Sequence, residues 1–207
     1  MILGFAHLTF GTRQFDRATE LFQKSGFVLK DAYRSVPSAP AKWPLMAHHA
    51  KKHDLALLMG SVGVEIVSHD TGSIDGPAML DFDPHSGVIT LNSRDIVREG
   101  EFIAQSLPCM EVDGRIEIRG AFPKWSAQLR LVENKSAPQC QPLDIEGYSC
   151  LAFYSNNIRE DVQRLVGLGA GSATEEFAVD LSGRRVNVAM LRSPGGAILE
   201  LLRVNRL

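Results

Sequence analysis

A single carboxylate stands in the middle of an apolar stretch near the C-terminus. Residues 192–204 read RSPGGAILELLRV, so that Glu200 is flanked on both sides by leucine. A strand this apolar is expected to be half buried or more. A buried carboxylate needs a cation, a metal ion or good hydrogen bonds, and the rest of the chain has to supply one of them.

A second group of candidates lies in the histidine-rich stretch HHAKKH, which contains His48, His49 and His53. His49 and His53 are four residues apart, so a helix would place both on one face, as a metal site requires. A nearby proline and two lysines favour a solvated loop or short helix instead. The alternative is a lid over a ligand, with Trp43 as an apolar wall. His69 precedes a turn-rich linker and is expected to be exposed.

Composition excludes several classes of function. The chain has 207 residues, a formal net charge of −2 and no basic tail, which gives no reason to expect nucleic-acid binding. Three widely spaced cysteines without a CxxC pair indicate a reducing compartment. No apolar run is as long as a membrane span, and the first residues lack the pattern of a signal peptide. The sequence predicts a cytoplasmic globular protein without nucleic-acid or membrane partners. Motifs for nucleotide binding, zinc proteases and serine hydrolases are absent.

The predicted elements recur in one order along the chain. Strand–helix–strand–strand–strand patterns occupy residues 1–70, 86–134 and 147–207. Their first strands HLTFGTR, VITLNSR and CLAFYSN align, as do their last strands VEIVSHD, LRLVENK and LELLRVN. The turn-forming residues 70–87 predict a linker. We therefore predict an α+β fold of three repeated modules, which together can form one compact domain.

The repeated unit resembles the βαβββ module of the vicinal-oxygen-chelate superfamily, which includes glyoxalase I, bleomycin-resistance proteins and extradiol dioxygenases. The opening GFAHLTFGTRQFDRATELFQKSGFVL is similar to that family's first strand and helix, with a histidine on the strand. VGVEIVSHD is similar to the last strand of a first module, and SPGGAILELLRV resembles the family's ending. The resemblance implies tandem βαβββ modules that form curved, cup-like mixed sheets.

In that family two modules pair around one divalent metal, and each module offers one ligand from its first strand and one from its last. The resemblance assigns His7 and Glu65 of the first module and Glu200 of the third as metal ligands. It also makes Glu65 and Glu200 the candidate catalytic carboxylates. Imidazole and carboxylate suit zinc, manganese, iron, nickel or cobalt, and an open position would take a chelating small-molecule substrate.

The fourth ligand departs from the family pattern. The third module offers Cys150 where the family has histidine, and a thiolate can ligate if the first module pairs with the third. If the first module pairs with the second instead, Val88 and Arg130 stand at the ligand positions. Arg130 would then pair with Glu65 or bind a substrate anion. In that case the third module needs a partner such as its own copy in a homodimer.

Two functions of different classes follow from the resemblance. The first is a glyoxalase-like, metal-dependent lyase, isomerase or dioxygenase that acts on a small oxygenated metabolite. The alternative is a metal-free small-molecule-binding protein of the drug-sequestering kind, which Val88 and Cys150 at the two histidine positions favour. A non-catalytic scaffold whose modules serve dimerisation is a third alternative, because one fold hosts many functions.

Overall fold

A computed structural model describes residues 1–112, 115–120, 126–181 and 183–205. The first group of elements comprises strand β1 (Ile2–Gly11), helix α1 (Phe15–Lys24) and strands β2 (Val28–Pro37), β3 (Lys52–Met59) and β4 (Gly63–His69). A short 3-10 helix, Pro40–Leu45, lies between β2 and β3. We call residues 38–50, which contain this short helix, the covering segment.

The second and third groups repeat this order. The second comprises β5 (Leu80–Asp83), β6 (Val88–Ser93), α2 (Ile96–Ser106), β7 (Cys109–Val112), β8 (Arg115–Arg119) and β9 (Ser126–Glu133). The third comprises β10 (Gly147–Ser155), α3 (Ile158–Gly167), β11 (Phe177–Leu181), β12 (Arg184–Arg192) and β13 (Ile198–Asn205). Strand β5 is additional and lies inside the predicted linker 70–87. Its four residues alternate buried Leu80 and Phe82 with exposed aspartates, a pattern too short to stand out among turn formers.

The first and third groups together form one eight-stranded sheet, in the order β11-β12-β13-β10-β1-β4-β3-β2. Its centre is the antiparallel pairing of β1 with β10, in which Leu8 lies opposite Leu151. Each of these strands has its own group's last strand as its other, parallel neighbour. The alternative in which the first group pairs with the second is therefore wrong for these strands.

The second group forms a separate five-stranded sheet, in the order β5-β6-β9-β8-β7. Strand β6 is the counterpart of β1 and β10 in the larger sheet. Strand β5 pairs with β6 on the side on which β1 and β10 pair with each other. Because β5 occupies that edge, β6 has no free side on which to accept β1 or β10. This additional strand, which the sequence analysis assigned to a linker, explains why the second group stands apart.

One apolar cluster joins the two sheets. It contains side chains from all three groups, among them Leu8, Phe153, Leu91, Ile118 and Leu129, which are all buried. The other face of the eight-stranded sheet carries His7, Glu65 and Glu200, and we call it the cup. The α+β fold class with βαβββ repeats in curved mixed sheets is confirmed. Within the described ranges, no helix has the length and apolarity needed to cross a membrane.

The turn that precedes β13 is held from two sides. The backbone N–H of Gly195 donates to the buried carboxylate of Glu99 on α2, at 2.6 Å. Gly196 has a φ of +98°, and a Cβ there would lie 2.0 Å from the carbonyl oxygen of Gln139. At position 196 only glycine allows both the left-handed backbone and the close approach to Gln139. The SPGG turn therefore fixes where the strand of Glu200 begins.

Replacing this glycine tests the turn. Gly196→Ala is expected to lower the free energy of unfolding by about 3 kcal/mol, since left-handed strain and a backbone clash add together. Gly72 has a φ of +76° with open space around its Cα, so Gly72→Ala should cost only about 1 kcal/mol. Urea denaturation of both variants measures the difference. Equal losses would show that the close approach to Gln139 is not a constraint.

Candidate metal centre

Strand register brings the three predicted ligands to one place. His7 on β1 lies opposite Ala152 on β10, and Ala152 lies beside Glu200 on β13. Glu65 on β4 is the neighbour of Thr9, which shares a face with His7 because side chains alternate along a strand. The small side chain of Ala152 leaves room between His7 and Glu200. Three strands, two from the first group and one from the third, thus bring their side chains to one spot of the cup.

The ligand atoms of His7, Glu65 and Glu200 all lie within 4.8 Å of one another. His7 Nε2 is 3.6 Å from Glu65 Oε2 and 3.6 Å from Glu200 Oε2. Both separations are longer than a hydrogen bond, and the buried Nε2 has no hydrogen-bond partner among the described residues. The Nε2 atom therefore lies at ion-pair distance from two carboxylates without a hydrogen bond to either.

The two carboxylates control the charge of the imidazole. Burial alone would lower the pKa of His7, but the negative charges of Glu65 and Glu200 outweigh burial and raise this pKa to about 10. Burial likewise would raise the pKa of Glu65, but the imidazolium lowers it to about 2. Without a metal, the cluster at neutral pH is a buried imidazolium between carboxylates.

The donor set fits a divalent metal ion. Imidazole and two carboxylates form a common ligand combination for a catalytic zinc or manganese site with open positions. Donors at bond lengths of 2.0–2.2 Å around a tetrahedral ion lie about 3.4 Å apart, close to the separations of His7 from both carboxylates. The orphaned Nε2 is the atom that an ion would engage.

Cys150 is near this cluster but not part of it. Its thiol is fully buried in the apolar lining of the cup, and it does not join the group of atoms within 4.8 Å. Burial, reinforced by the carboxylates of Glu200 and Glu65, holds the pKa of this thiol well above its usual range. A thiolate ligand at Cys150 stays a prediction that this environment disfavours.

Further groups surround the cluster. Thr9 Oγ1 donates to Glu65 Oε2 at 3.3 Å and so helps to orient that carboxylate. A cavity of about 150 Å³ opens onto His7 and Glu65. Its walls are mostly apolar, with two tyrosines and two charged groups, and consist of Asp31, Tyr33, Leu55, Leu57, Tyr154, Leu181, Arg184, Val186, Leu202 and Val204. The spacing of two residues between His7 and Thr9 is the only sequence signal that could have identified Thr9.

The histidine-rich stretch is divided between the predicted loop, where His48 and His49 are exposed, and a strand. His49 lies in the covering segment, where it stacks on Trp43 with ring centroids 4.9 Å apart. His53 instead belongs to β3 and is buried, so the two histidines share no helix face. His69, expected to be exposed, is also buried, because β4 extends through it to pair with β3.

Val88 and Arg130 are remote from the cluster, since both belong to the five-stranded sheet. The guanidinium of Arg130 donates to the hydroxyl of Thr90 at 3.1 Å, and Arg130 is exposed. The predicted pairing of Arg130 with Glu65 is therefore wrong. The other alternative pairs the first module with the third. The structure brings three of its four residues, His7, Glu65 and Glu200, together and leaves Cys150 beside them.

Comparisons with known proteins find likeness of structure only. No family model matches the chain, and no curated protein matches its sequence. Solved structures that match include glyoxalase I from Zea mays, with 15% identity, a TM-score of 0.39, and coverage of 96% of this chain and 67% of that one. Methylmalonyl-CoA epimerase from Mycobacterium tuberculosis matches with 12% identity, a TM-score of 0.44, and coverage of 97% and 87%.

A dioxygenase-like protein from Bacillus subtilis matches with 10% identity, a TM-score of 0.41, and coverage of 97% of this chain and 62% of that one. At these identities and TM-scores the likeness concerns fold alone. The order and pairing of the strands in this chain are observed independently of it. The strand–helix–strand–strand–strand order that the motifs predict is confirmed by the elements of this chain themselves.

Proposed function

We propose that this protein is a glyoxalase-like, metal-dependent lyase, isomerase or dioxygenase that acts on a small oxygenated metabolite. The observation that carries the proposal is the buried Nε2 of His7, which lies equally far from the Glu65 and Glu200 carboxylates and has no hydrogen bond to either. Buried polar atoms without partners are rare and call for an explanation, and a ligated ion supplies one. Three protein ligands leave positions open for substrate, as catalytic sites require.

The metal, when bound, acts as a Lewis acid that stabilises negative charge on a substrate oxygen. The residues of the chain hold the ion, orient the site and accept protons. His7 orients the site as a neutral ligand, which requires that it first gives up its proton. Either carboxylate can accept a proton from the substrate, and Glu65 is better placed because it borders the cavity. Thr9 holds Glu65 in position through its hydroxyl.

The cavity limits the substrate. A volume of about 150 Å³ is smaller than the pockets that hold drug-sized ligands, so the substrate is a small metabolite. Apolar walls at Leu55, Leu57 and Leu202 exclude water around the reacting group. Tyr33 and Arg184 offer polar contacts for its outer end.

A metal-free binding protein is the second candidate, and one observation favours it. The imidazolium of His7 can neutralise Glu65 without any metal, since their pKa shifts are those of an ion pair. The apolar walls of the cavity at Leu55, Leu57 and Leu202 would suit a hydrophobic ligand. Binding of such a ligand that is insensitive to chelator, by a wild-type protein that takes up no metal, would establish this candidate.

Removing ligands tests the proposed function. His7→Ala and Glu200→Gln are each expected to weaken zinc or manganese binding by more than about 100-fold, because each deletes one of three donors. Isothermal titration calorimetry of the metal-free protein measures the affinity. Glu101→Gln, an equivalent change on the exposed face of α2, should bind as the wild type does. Equal affinity in all four proteins would place the metal elsewhere.

Thr9 should affect metal affinity through Glu65. Thr9→Val keeps the shape of the side chain but removes its hydrogen bond to Glu65, so binding is expected to weaken about tenfold. Thr90→Val makes the same change on the five-stranded sheet and serves as the matched control. The same titration applies, and an unchanged affinity in Thr9→Val would mean that the hydroxyl does not orient Glu65.

Metal binding should release a proton. Near pH 8 the metal-free protein carries a protonated His7, since the carboxylates raise its pKa to about 10. An imidazolium cannot ligate, so each bound ion displaces about one proton below that pKa, and the release disappears above it. The binding enthalpy should therefore change with the ionisation enthalpy of the buffer. An enthalpy that is the same in every buffer near pH 8 would contradict a protonated His7.

A further inference from the structure

Two residues of opposite charge line the cavity that opens onto the candidate metal centre. Asp31 on β2 and Arg184 on β12 border the same space of about 150 Å³ as His7 and Glu65. Asp31 and Arg184 are exposed, whereas His7 is buried. The two charges therefore stand at the mouth of the cavity, and the metal ligands stand at its base.

Curvature of the eight-stranded sheet brings the two charges to one space. Strand β2 forms one edge of this sheet, and β12 is the neighbour of β11 at the other edge. Leu181 on β11 lies opposite Arg184 and lines the cavity with it. The cavity is therefore the place at which the two edges of the sheet approach each other across the cup.

An irregularity in β2 gives Asp31 its position. Leu29 lies opposite Leu58 in the ladder of β2 and β3. Asp31 is two residues further along β2, but it lies opposite Leu57, only one residue further along β3. Without this β-bulge Asp31 would lie opposite Ala56, which packs in the core behind the sheet. Leu57 lines the cavity, so the bulge places the carboxylate on the cup face, as bulges beside functional sites do.

Neither charge is compensated by the protein. In the described parts of the chain, no ion pair and no side-chain hydrogen bond includes Asp31 or Arg184. Arg34, which is also on β2, differs in that its guanidinium pairs with Asp54 at 2.7 Å. The mouth of the cavity thus presents a carboxylate and a guanidinium that are both available to a ligand.

The charges at the mouth determine which ligand fits. Their neighbours in the lining, Tyr33, Leu57 and Val186, carry no charge. A ligand with only a positive or only a negative group would pair with one of the two residues and displace water from the other without replacing it. A zwitterion pairs with both, because a guanidinium donates two parallel N–H groups to a carboxylate and an ammonium group donates to an aspartate.

We propose that Asp31 and Arg184 bind the ammonium and carboxylate groups of an amino-acid-type zwitterion, whose side-chain oxygen reaches the candidate metal centre at the base of the cavity. This inference rests on the proposed function and narrows its small oxygenated metabolite to amino acids and their close derivatives. A cavity of about 150 Å³ lies below the range that holds drug-sized ligands, so it suits a single amino acid and not a peptide.

The test compares three probes that differ only in charge. L-Serine carries both charges and a hydroxyl group, 3-hydroxypropionate lacks the ammonium group, and ethanolamine lacks the carboxylate. Each is titrated into the full-length, metal-free protein, and the backbone amide resonances of Asp31 and Arg184 are followed by NMR. Serine is expected to bind saturably, and each single-charge probe to bind at least about tenfold more weakly, because one charged hydrogen-bonded pair is lost. No saturable shift with serine, or equal affinity for all three probes, overturns the proposal.

Variants assign each charge of the ligand to its residue. Asp31→Asn should weaken serine binding about tenfold and leave 3-hydroxypropionate unchanged within about twofold, whereas Arg184→Met should weaken serine binding and leave ethanolamine unchanged. Asp180→Asn and Arg185→Met are the matched controls, since these exposed residues lie opposite each other and Arg185 is on the other face of β12 from Arg184. An equal effect of the controls would show a diffuse charge effect and overturn the proposal.

Two further results would also overturn it. If Asp31 and Arg184 only pair with each other across the mouth, neither variant weakens serine binding. If the ammonium group goes to Glu65 instead, Asp31→Asn has no effect on serine while Arg184→Met does. Both results are read from the same titrations.

This experiment separates the inference from the proposed function. Metal is not present during the titration, so serine binding does not depend on whether His7, Glu65 and Glu200 take up an ion. Serine binding by a protein that takes up no metal would leave the subsite standing and remove the metal-dependent reaction. Metal uptake without serine binding would do the reverse.

Discussion

The antiparallel pairing of β1 with β10 is the constraint on which the candidate site depends. It joins the first and last groups of elements into one sheet and places Ala152 between His7 and Glu200. The parallel neighbours β4 and β13 then bring Glu65 and Glu200 to either side of His7. A slip of one residue in this register would turn His7 away from the cup and remove the cluster.

The second group of elements supports this arrangement without contributing ligands. Its sheet packs against the back of the eight-stranded sheet through one shared apolar cluster. Helix α2 also reaches the turn before β13, where Glu99 accepts a hydrogen bond from the Gly195 backbone. Strand β5 closes the edge of β6 and so keeps the second group from competing with β10 for β1. A module without metal ligands thus has a physical role in positioning Glu200.

Much of this organisation was predictable from the sequence. The repeated order of elements and the placement of His7, Glu65 and Glu200 at strand positions followed from the alternation of apolar residues and from the resemblance of the motifs. The pairing of the modules could not be predicted from the sequence, because it depends on β5, a four-residue strand with two aspartates. The burial of His53 and His69 was also missed. Local polarity suggested exposure, but the position of a strand in a sheet and the cover above it are tertiary properties.

The electrostatic balance of the cup links the candidate metal centre to its surroundings. In the metal-free protein, a protonated His7 offsets the charge of Glu65 and Glu200, and ion uptake exchanges that proton for a stronger positive charge. The most direct test of this account is a crystal of the protein soaked in manganese, with anomalous diffraction recorded. A metal ion held by the cluster would give a single strong anomalous peak within coordination distance of His7 Nε2 and of both carboxylates. A peak at another set of residues would contradict this prediction. So would the absence of a peak at the cluster while ordered density shows the three side chains in the same positions.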